Sequence, residues 1–431
     1  MKVLLVNSGF ASLKNISFEQ PPLGLLSIGA CLERDGYDVK LADLPIGDNI
    51  LDIYSSYVPD AVGISCLTKT ANSAYFVGDM FKKLGIYTVI GGIHPSLFPE
   101  EALKHCNCVI TGEGEISLSK ALSERTEGII KGEIIRDLDS LPIPAYHLAR
   151  MDFYTTFKQP ISITSWNPEK AVTGFLLTSR GCPYHCIYCY NSYRSIPLRY
   201  RSPEKVIEEA KLLVKNYNIS SLCFLEDNFF VNKKRAEKIS ELFTEELPSV
   251  LWSANARVDN ISKDTLYKAK ESGCIQVSFG IESGNQRILD LLEKETTVQK
   301  AIETIQILDD LDLVIQGNFM IGNPTETEDE IADSVKFMVE NNIDGGLGVS
   351  MTLALPGTKL WDWCKEKEKI PSDLNWDDFD YSSMPIKITD IETDKFYKIV
   401  DQVRTMATQI FFIRHPSMIG KVRRALRRKE K

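Results

Sequence analysis

No run of apolar residues in this chain reaches the roughly 20 residues needed to cross a bilayer as a helix. The start of the chain is apolar only from Val3 to Val6, too short for the core of a secretory signal, and the expected compartment is the cytoplasm. Positive charge is not in excess. The 50 Lys and Arg stand against 59 Asp and Glu, a net charge of −9, which argues against a general nucleic-acid binder. No Gly-x-Gly-x-x-Gly follows the first strand-like run, which disfavours a nicotinamide cofactor. Nor do the ten cysteines form a disulfide framework. Cys31, Cys66, Cys106, Cys108, Cys223, Cys274 and Cys364 are scattered, several inside apolar runs, and read as buried free thiols in a reducing compartment. The rest of the composition, 43% hydrophobic and 25% charged over 431 residues, is that of a soluble globular chain of about three domains.

Three cysteines do stand together. Cys182, Cys186 and Cys189 lie in CPYHCIYC, just after an apolar strand-like run at 174–179. Thiolates are soft ligands, and three within so short a loop suit iron–sulfur chemistry. A 4Fe–4S cluster closed by protein needs four ligands, so three leave one iron open to a small molecule. Structural zinc is the alternative, but its fourth ligand would have to come from elsewhere. His185 adjoins Cys186 and would need to fold back sharply, and no second Cys-x-x-Cys pair exists.

The loop, with Tyr188 before its last cysteine, resembles the signature of the radical S-adenosylmethionine (SAM) enzymes. The resemblance implies that the open iron binds SAM through its amino and carboxylate groups. An electron from the cluster then cleaves SAM to a 5′-deoxyadenosyl radical. An external donor such as flavodoxin or ferredoxin is implied, as is an anaerobic or microaerobic host.

In residues 1–125, strands at 2–8, 37–43, 61–66, 87–91 and 108–111 alternate with helical stretches such as 22–36, 72–85 and 96–105. Such alternation predicts an α/β, flavodoxin-like or Rossmann-type domain that binds ligands at the carboxyl ends of its strands. There stand Ser65, Thr68, Gly91, Gly92, His94, Gly112, Glu113 and Gly114, with glycines that let the backbone approach a bulky ligand. Any flavodoxin-like domain would read this way. The segments PLGLLSIGACL, VIGGIHPSLFPEE and GEGE, however, are similar to the cobalamin-binding domain that precedes the radical SAM domain in one large subgroup. The cobalamin motif Asp-x-His-x-x-Gly is absent, and His94 sits in His-Pro. Cobalamin is therefore expected without a protein histidine on cobalt, and His94 with a structural role.

Residues 126–170 read as a linker, with a hairpin at 128–135, a connector at 141–144 and Tyr146, Phe153, Tyr154, Phe157 and Trp166 as an ordinary domain interface, the lining of a substrate channel being the alternative. From 171 to 365, strands at 174–179, 221–225, 252–256, 275–280, 313–321 and 346–353 alternate with helices at 203–217, 233–246, 263–272, 286–311 and 328–341. These six units match the partial (β/α)6 barrel of the radical SAM enzymes, with chemistry at the carboxyl ends of the strands. The resemblance puts Glu226, Asp227 and Asn228 near the methionyl part of SAM, with Asn255 and Arg257 at the end of the third strand as further cofactor-binding residues. It sets Arg257 on the SAM carboxylate, Glu282 on its ribose, and Gly322, in a stretch from Gly317 to Glu326, on the adenine side. Residues 366–431 read as a helical cap. Trp376, Phe379, Tyr381 and Pro385 are expected to cross the barrel mouth before a helix at 394–412 and a basic tail, KVRRALRRKEK. That tail is a solvated helix end or a contact for acidic lipid headgroups at a membrane surface.

Together these readings imply a cobalamin-dependent radical SAM enzyme of a class whose members mostly methylate unactivated carbon or phosphorus. One SAM would methylate the corrinoid and another would give the radical, on a small-molecule, lipid or peptide substrate. Oxidative cyclisation or rearrangement with the same cofactors, and a metal-binding sensor without activity, are the alternatives.

Overall fold

The computed structural model describes residues 1–9, 20–156, 171–190, 197–341, 343, 347–380 and 383–414. The chain forms two units, one of Met1–Phe157 with Arg199–Arg201 and Ser372–Asp380, the other of Lys158–Leu198, Ser202–Pro371 and Tyr381–Lys431.

The first unit is built on β1 (Lys2–Asn7), β2 (Asp38–Asp43), β3 (Ala61–Ser65), β4 (Tyr87–Gly91), β5 (Cys108–Thr111) and β6 (Gly128–Lys131). All are parallel, in the order β2-β1-β3-β4-β5-β6. Both faces of such a sheet are covered, so Val3, Leu4, Leu5 and Val6 can be an unbroken apolar run and all be buried. Alternate residues face opposite ways. Leu4 and Val6 pack with Ala74, Val77 and Phe81 of helix Ala71–Lys83. Val3 and Leu5 pack with Leu25 and Leu32 of helix Leu23–Arg34 and Leu118 and Leu122 of helix Ser117–Glu124. The strand order reverses at β1, with β2 on one side and β3 on the other, which is where an open parallel sheet opens a crevice at its carboxyl edge.

Residues 126–157 differ from the expected linker. In place of a hairpin, β6 adds in parallel beside β5. A side chain at Gly132 would collide with the backbone of Glu113, so the chain passes hard against that turn and does not double back. Ile135, Leu138 and Leu141 then pack with Cys31. Phe157 and Trp166 lie outside the described residues.

The second unit carries β7 (Thr173–Leu176), β8 (Ser221–Phe224), β9 (Leu251–Ala256), β10 (Cys274–Glu282), β11 (Val314–Ile321) and β12 (Leu347–Met351). They are parallel and adjacent in chain order, the curled half-barrel expected. Side-chain caps start the helices between them. Ser202, Asn232, Ser262 and Thr297 each accept a backbone N–H three residues on, and Thr327 and Glu330 form a reciprocal capping box. The expected single helix at 286–311 is two, Gln286–Leu291 and Val298–Asp310, parted by a turn.

A half-barrel leaves open edges, which a parallel sheet must cover. Helix Thr393–Arg414 lies along the β12 edge, where Arg404 Nε donates to the Val349 carbonyl at 3.1 Å and Arg414 Nη1 to that of Ile343 at 3.2 Å. Phe396 presses on Gly322, where any side chain would strike its ring. The expected loop across the barrel mouth is not what residues 372–380 form. They belong to the first unit, where Trp376 packs edge-on against His94 with ring centres 4.8 Å apart. Tyr381 and the basic tail lie outside the described residues, and among those described no helix is long and apolar enough to cross a membrane. Because Phe396 is 1% exposed, Phe396→Ala should cost about 3–5 kcal/mol. Thermal unfolding should show a clear drop in midpoint and limited proteolysis an early cut near 393–414, whereas a wild-type midpoint would mean that the helix is not part of the barrel's fold.

Candidate functional site

The cysteine loop leaves the carboxyl end of β7. Cys186 is buried and Cys182 and Cys189 partly so, all three as free thiols. The Cys189 N–H donates to the Cys186 carbonyl at 3.0 Å and closes a turn. Ile187 between them donates to the Leu292 carbonyl at 3.1 Å and accepts from the Leu360 N–H at 2.9 Å. Burial pushes the Cys182 thiol up to about 11 and raises that of Cys186, so these groups give up their protons readily only to a bound metal. Among the described residues no three His, Cys, Asp or Glu side chains are drawn together as they would be around a bound metal ion. A cluster takes each thiolate on a different iron, and three soft donors on one loop fit it chemically.

Charged side chains from β9 and β10 surround this loop. Arg257, just past β9, stacks its guanidinium on the Tyr184 ring 3.7 Å from the centroid and points Nη1 at Cys186 Sγ, 3.5 Å away. Its Nε and Nη2 make a two-pronged bond to Asp259 at 3.0 and 3.1 Å, and Nη2 also donates to the Lys294 carbonyl. Glu282, at the bulged end of β10, accepts from the Tyr188 hydroxyl at 2.9 Å and from Lys294 Nζ at 2.8 Å. A side chain at Gly280 would collide with the Glu282 carboxylate, so glycine there admits the pair. Burial and the Glu282 charge keep the Tyr188 hydroxyl protonated well above its usual range.

In the first unit the carboxyl ends of β3, β4 and β5 present Leu67, Ile93 and Ile116, each more than 40% exposed, beside Ser65 and Thr68. An apolar face with hydroxyls close by suits a large ring with an amide rim. Gly92 (φ 117) lets its loop run against Cys66, whose carbonyl oxygen would lie 2.5 Å from an added Cβ. Gly112 (φ 92) turns the chain after β5 and donates its N–H to Ser96 Oγ at 2.9 Å. Glu113 is engaged within the unit: its Oε2 accepts from Arg199 at 2.8 Å and from the Ile135 N–H at 2.7 Å. Gly114 follows it, close under Ile28. The His94 ring is fully buried among Tyr75, Phe98 and Trp376, with Nε2 3.6 Å from Glu101. Burial pushes its pKa down.

The family model of the radical SAM superfamily matches residues 176–338, and that of the B12 binding domain matches residues 11–122. An uncharacterised methyltransferase of Pyrococcus horikoshii is 32% identical over 93% of this chain and 91% of its own length. The chain belongs to the cobalamin-dependent radical SAM methyltransferase family. The cofactors of this family are a 4Fe–4S cluster, SAM and cobalamin. The anaerobic magnesium-protoporphyrin IX monomethyl ester cyclase of Rubrivivax gelatinosus is 26% identical over 80% of the chain and 66% of its own length. In fold, the chain is similar to the cobalamin-dependent SAM radical enzyme OxsB solved with aqua-cobalamin and SAM bound, with a TM-score of 0.72 and 16% identity over 93% of this chain. It spans 66% of the OxsB chain.

As a member of this family, the chain has some of its expected SAM residues beside the cysteine loop and others committed elsewhere. Tyr188, Arg257 and Glu282 gather there. Asp227 is exposed, and its charge reaches Cys182. Glu226 is buried, accepts from Thr178 at 2.6 Å and faces Arg235 at 3.7 Å, while its backbone carbonyl accepts from Asn255 at 3.3 Å. Gly322 (φ 84) donates its N–H to Glu326. Sequence reasoning missed Lys294, which lies between two glutamates in a stretch that reads as a solvated helix face. Asn228, expected with Glu226 and Asp227 from its place at a strand end, is 4% exposed with no partner for its amide among the described residues.

Glu326 carries a pH signature. Its Oε2 accepts from Gly322 at 2.7 Å and from Asn323 at 2.9 Å, Oε1 has no partner among the described residues, and burial raises its pKa from 4.5 to about 7. Between those values the folded chain binds the proton and the unfolded chain does not, so this group's stabilisation is complete below pH 4.5 and is lost as pH rises towards 7. Glu326→Gln has no proton to lose, and its unfolding midpoint should hold steady against pH where that of the wild type falls. Parallel profiles would contradict the assignment.

Proposed function

We propose that the chain transfers a methyl group to an unactivated carbon or phosphorus centre of a small-molecule, lipid or peptide substrate. The observation that carries the reading is the three-cysteine loop, with Arg257 and Glu282 beside it, in a chain that also holds a B12 binding domain. When bound, the cluster, SAM and cobalamin supply between them a carbon-centred radical and a methyl group. The chain's own part is to hold and orient them. Cys182, Cys186 and Cys189 are the residues for the cluster, with Arg257 and Glu282 beside it for the polar groups of SAM. Ser65, Thr68, Gly91, Gly92 and Gly112 would border the corrinoid at the carboxyl edge of the first sheet.

A flavodoxin or ferredoxin in the cytoplasm is the reductant this reading calls for. Peripheral membrane contact through the basic tail remains part of the proposal for a lipid substrate. The Rubrivivax cyclase favours a second reading, ring closure with the same cofactors, because it matches four-fifths of this chain.

Methyl-deuterated SAM separates the two. The anaerobically reconstituted enzyme, reductant and an extract of the host's metabolites and lipids should yield a deuterium-labelled product, together with S-adenosylhomocysteine, methionine and 5′-deoxyadenosine. Formation of 5′-deoxyadenosine with an unlabelled product and no S-adenosylhomocysteine would reject methyl transfer.

A further inference from the structure

The turn that parts helices Gln286–Leu291 and Val298–Asp310 is strained. Glu293 (φ 48) and Glu295 (φ 54) both adopt the left-handed backbone conformation, and so does Glu282 (φ 67). Each such residue costs about 1–3 kcal/mol unless its surroundings enforce it, and such residues cluster where function sets the geometry. Between the two glutamates of the turn stands Lys294, 5% exposed. A lysine so buried keeps its charge only with a carboxylate at hand. Glu282 supplies it at 2.8 Å, and the same ammonium reaches the Tyr188 hydroxyl at 3.1 Å. The backbone of the turn is equally engaged: the Leu292 carbonyl accepts from Ile187 at 3.1 Å, and that of Lys294 from Arg257. Two residues of the turn, Leu292 and Lys294, thus touch the cysteine loop at the adjacent positions Ile187 and Tyr188, and Lys294 also touches the arginine after β9 and the glutamate of β10. Arg257 Nη1 stands 3.5 Å from Cys186 Sγ, and Lys294 Nζ stands 3.1 Å from the hydroxyl of Tyr188, two residues along the same loop.

We infer that Lys294 is a positioning residue for the cluster and for SAM. Its ammonium ties Tyr188 of the cysteine loop to Glu282 at the end of β10 and places a positive charge beside that loop. The inference rests on the radical SAM reading of this site. A fixed positive charge favours the more negative, reduced form of a cluster, and a fixed carboxylate disfavours it. The two members of the pair therefore act on the potential with opposite sign. A purely structural role could not produce that difference, since removal of either partner breaks the same ion pair.

The test uses full-length protein reconstituted anaerobically, as wild type, Lys294→Met, Lys294→Arg and Glu282→Gln. Iron and sulfide content, the cluster's midpoint potential without SAM, and the SAM dissociation constant by equilibrium dialysis are measured for each. Lys294→Met should keep its cluster, become harder to reduce and bind SAM about 10- to 100-fold more weakly. Glu282→Gln should become easier to reduce, and Lys294→Arg should stay near the wild-type potential. If one variant does not fold, the sign of the shift in the other still decides. Unmoved potential and SAM affinity, or shifts of one sign in Lys294→Met and Glu282→Gln, would overturn the inference while leaving the family reading intact. A wild type that takes up no cluster and binds no SAM would overturn both.

Discussion

An ion pair between two side chains that are each less than a tenth exposed, Glu282 and Lys294, sits at the centre of the half-barrel's carboxyl end. Such a pair is expensive to desolvate and is retained only where its geometry is well satisfied. Here the Tyr188 hydroxyl donates to the carboxylate and lies within reach of the ammonium, the absence of a side chain at Gly280 makes room, and three residues stay in left-handed conformations around it. Removing one member would leave an uncompensated charge against the cysteine loop. The loop's fixed shape therefore depends on charges contributed by elements far from it in sequence.

The two sheets reach the same end by different topologies. In the first, strand order reverses at β1, and glycines and short polar residues gather at the carboxyl edge beside exposed Leu67, Ile93 and Ile116. In the second, every strand adds beside its predecessor, and the carboxyl edge carries Cys186, Arg257 and Glu282. An apolar, hydroxyl-bordered face and a charged, thiol-bearing one suit a large ring cofactor and a sulfonium substrate respectively. The open half-barrel then needs its β12 edge covered, which helix Thr393–Arg414 does with the side chains of Arg404 and Arg414.

Much of this was legible in the sequence, because hydrophobic runs, cap residues and short motifs are local. The strands of both sheets follow from apolar runs, the Thr327–Glu330 box announces its helix, and the cysteine spacing announces its chemistry. What failed to show was non-local or strained. Residues 286–311 carry helical periodicity, yet the chain breaks before its Thr297 cap, and the turn there meets Ile187, Tyr188 and Arg257, which brings Lys294 to the site. β6 looked like half of a hairpin because a strand's partner is not written in its own residues. Trp376 lies more than 270 residues from the Glu101 carboxylate that accepts its indole N–H at 3.0 Å, a separation no local pattern encodes. Arg257 was expected to offer its fork to a ligand carboxylate, but Asp259, two residues on, takes that fork in the structure.

On the proposed reading, Cys182, Cys186 and Cys189 hold a cluster whose remaining iron is open to SAM. Paramagnetic resonance of the anaerobically reconstituted, reduced protein tests it most directly, recorded before and after addition of SAM labelled with nitrogen-15 at its amino group and oxygen-17 at its carboxylate. The account predicts the signal of a reduced 4Fe–4S cluster that changes on adding SAM and shows hyperfine coupling to both labels. A colourless, zinc-containing protein, or a cluster signal indifferent to SAM, would contradict it.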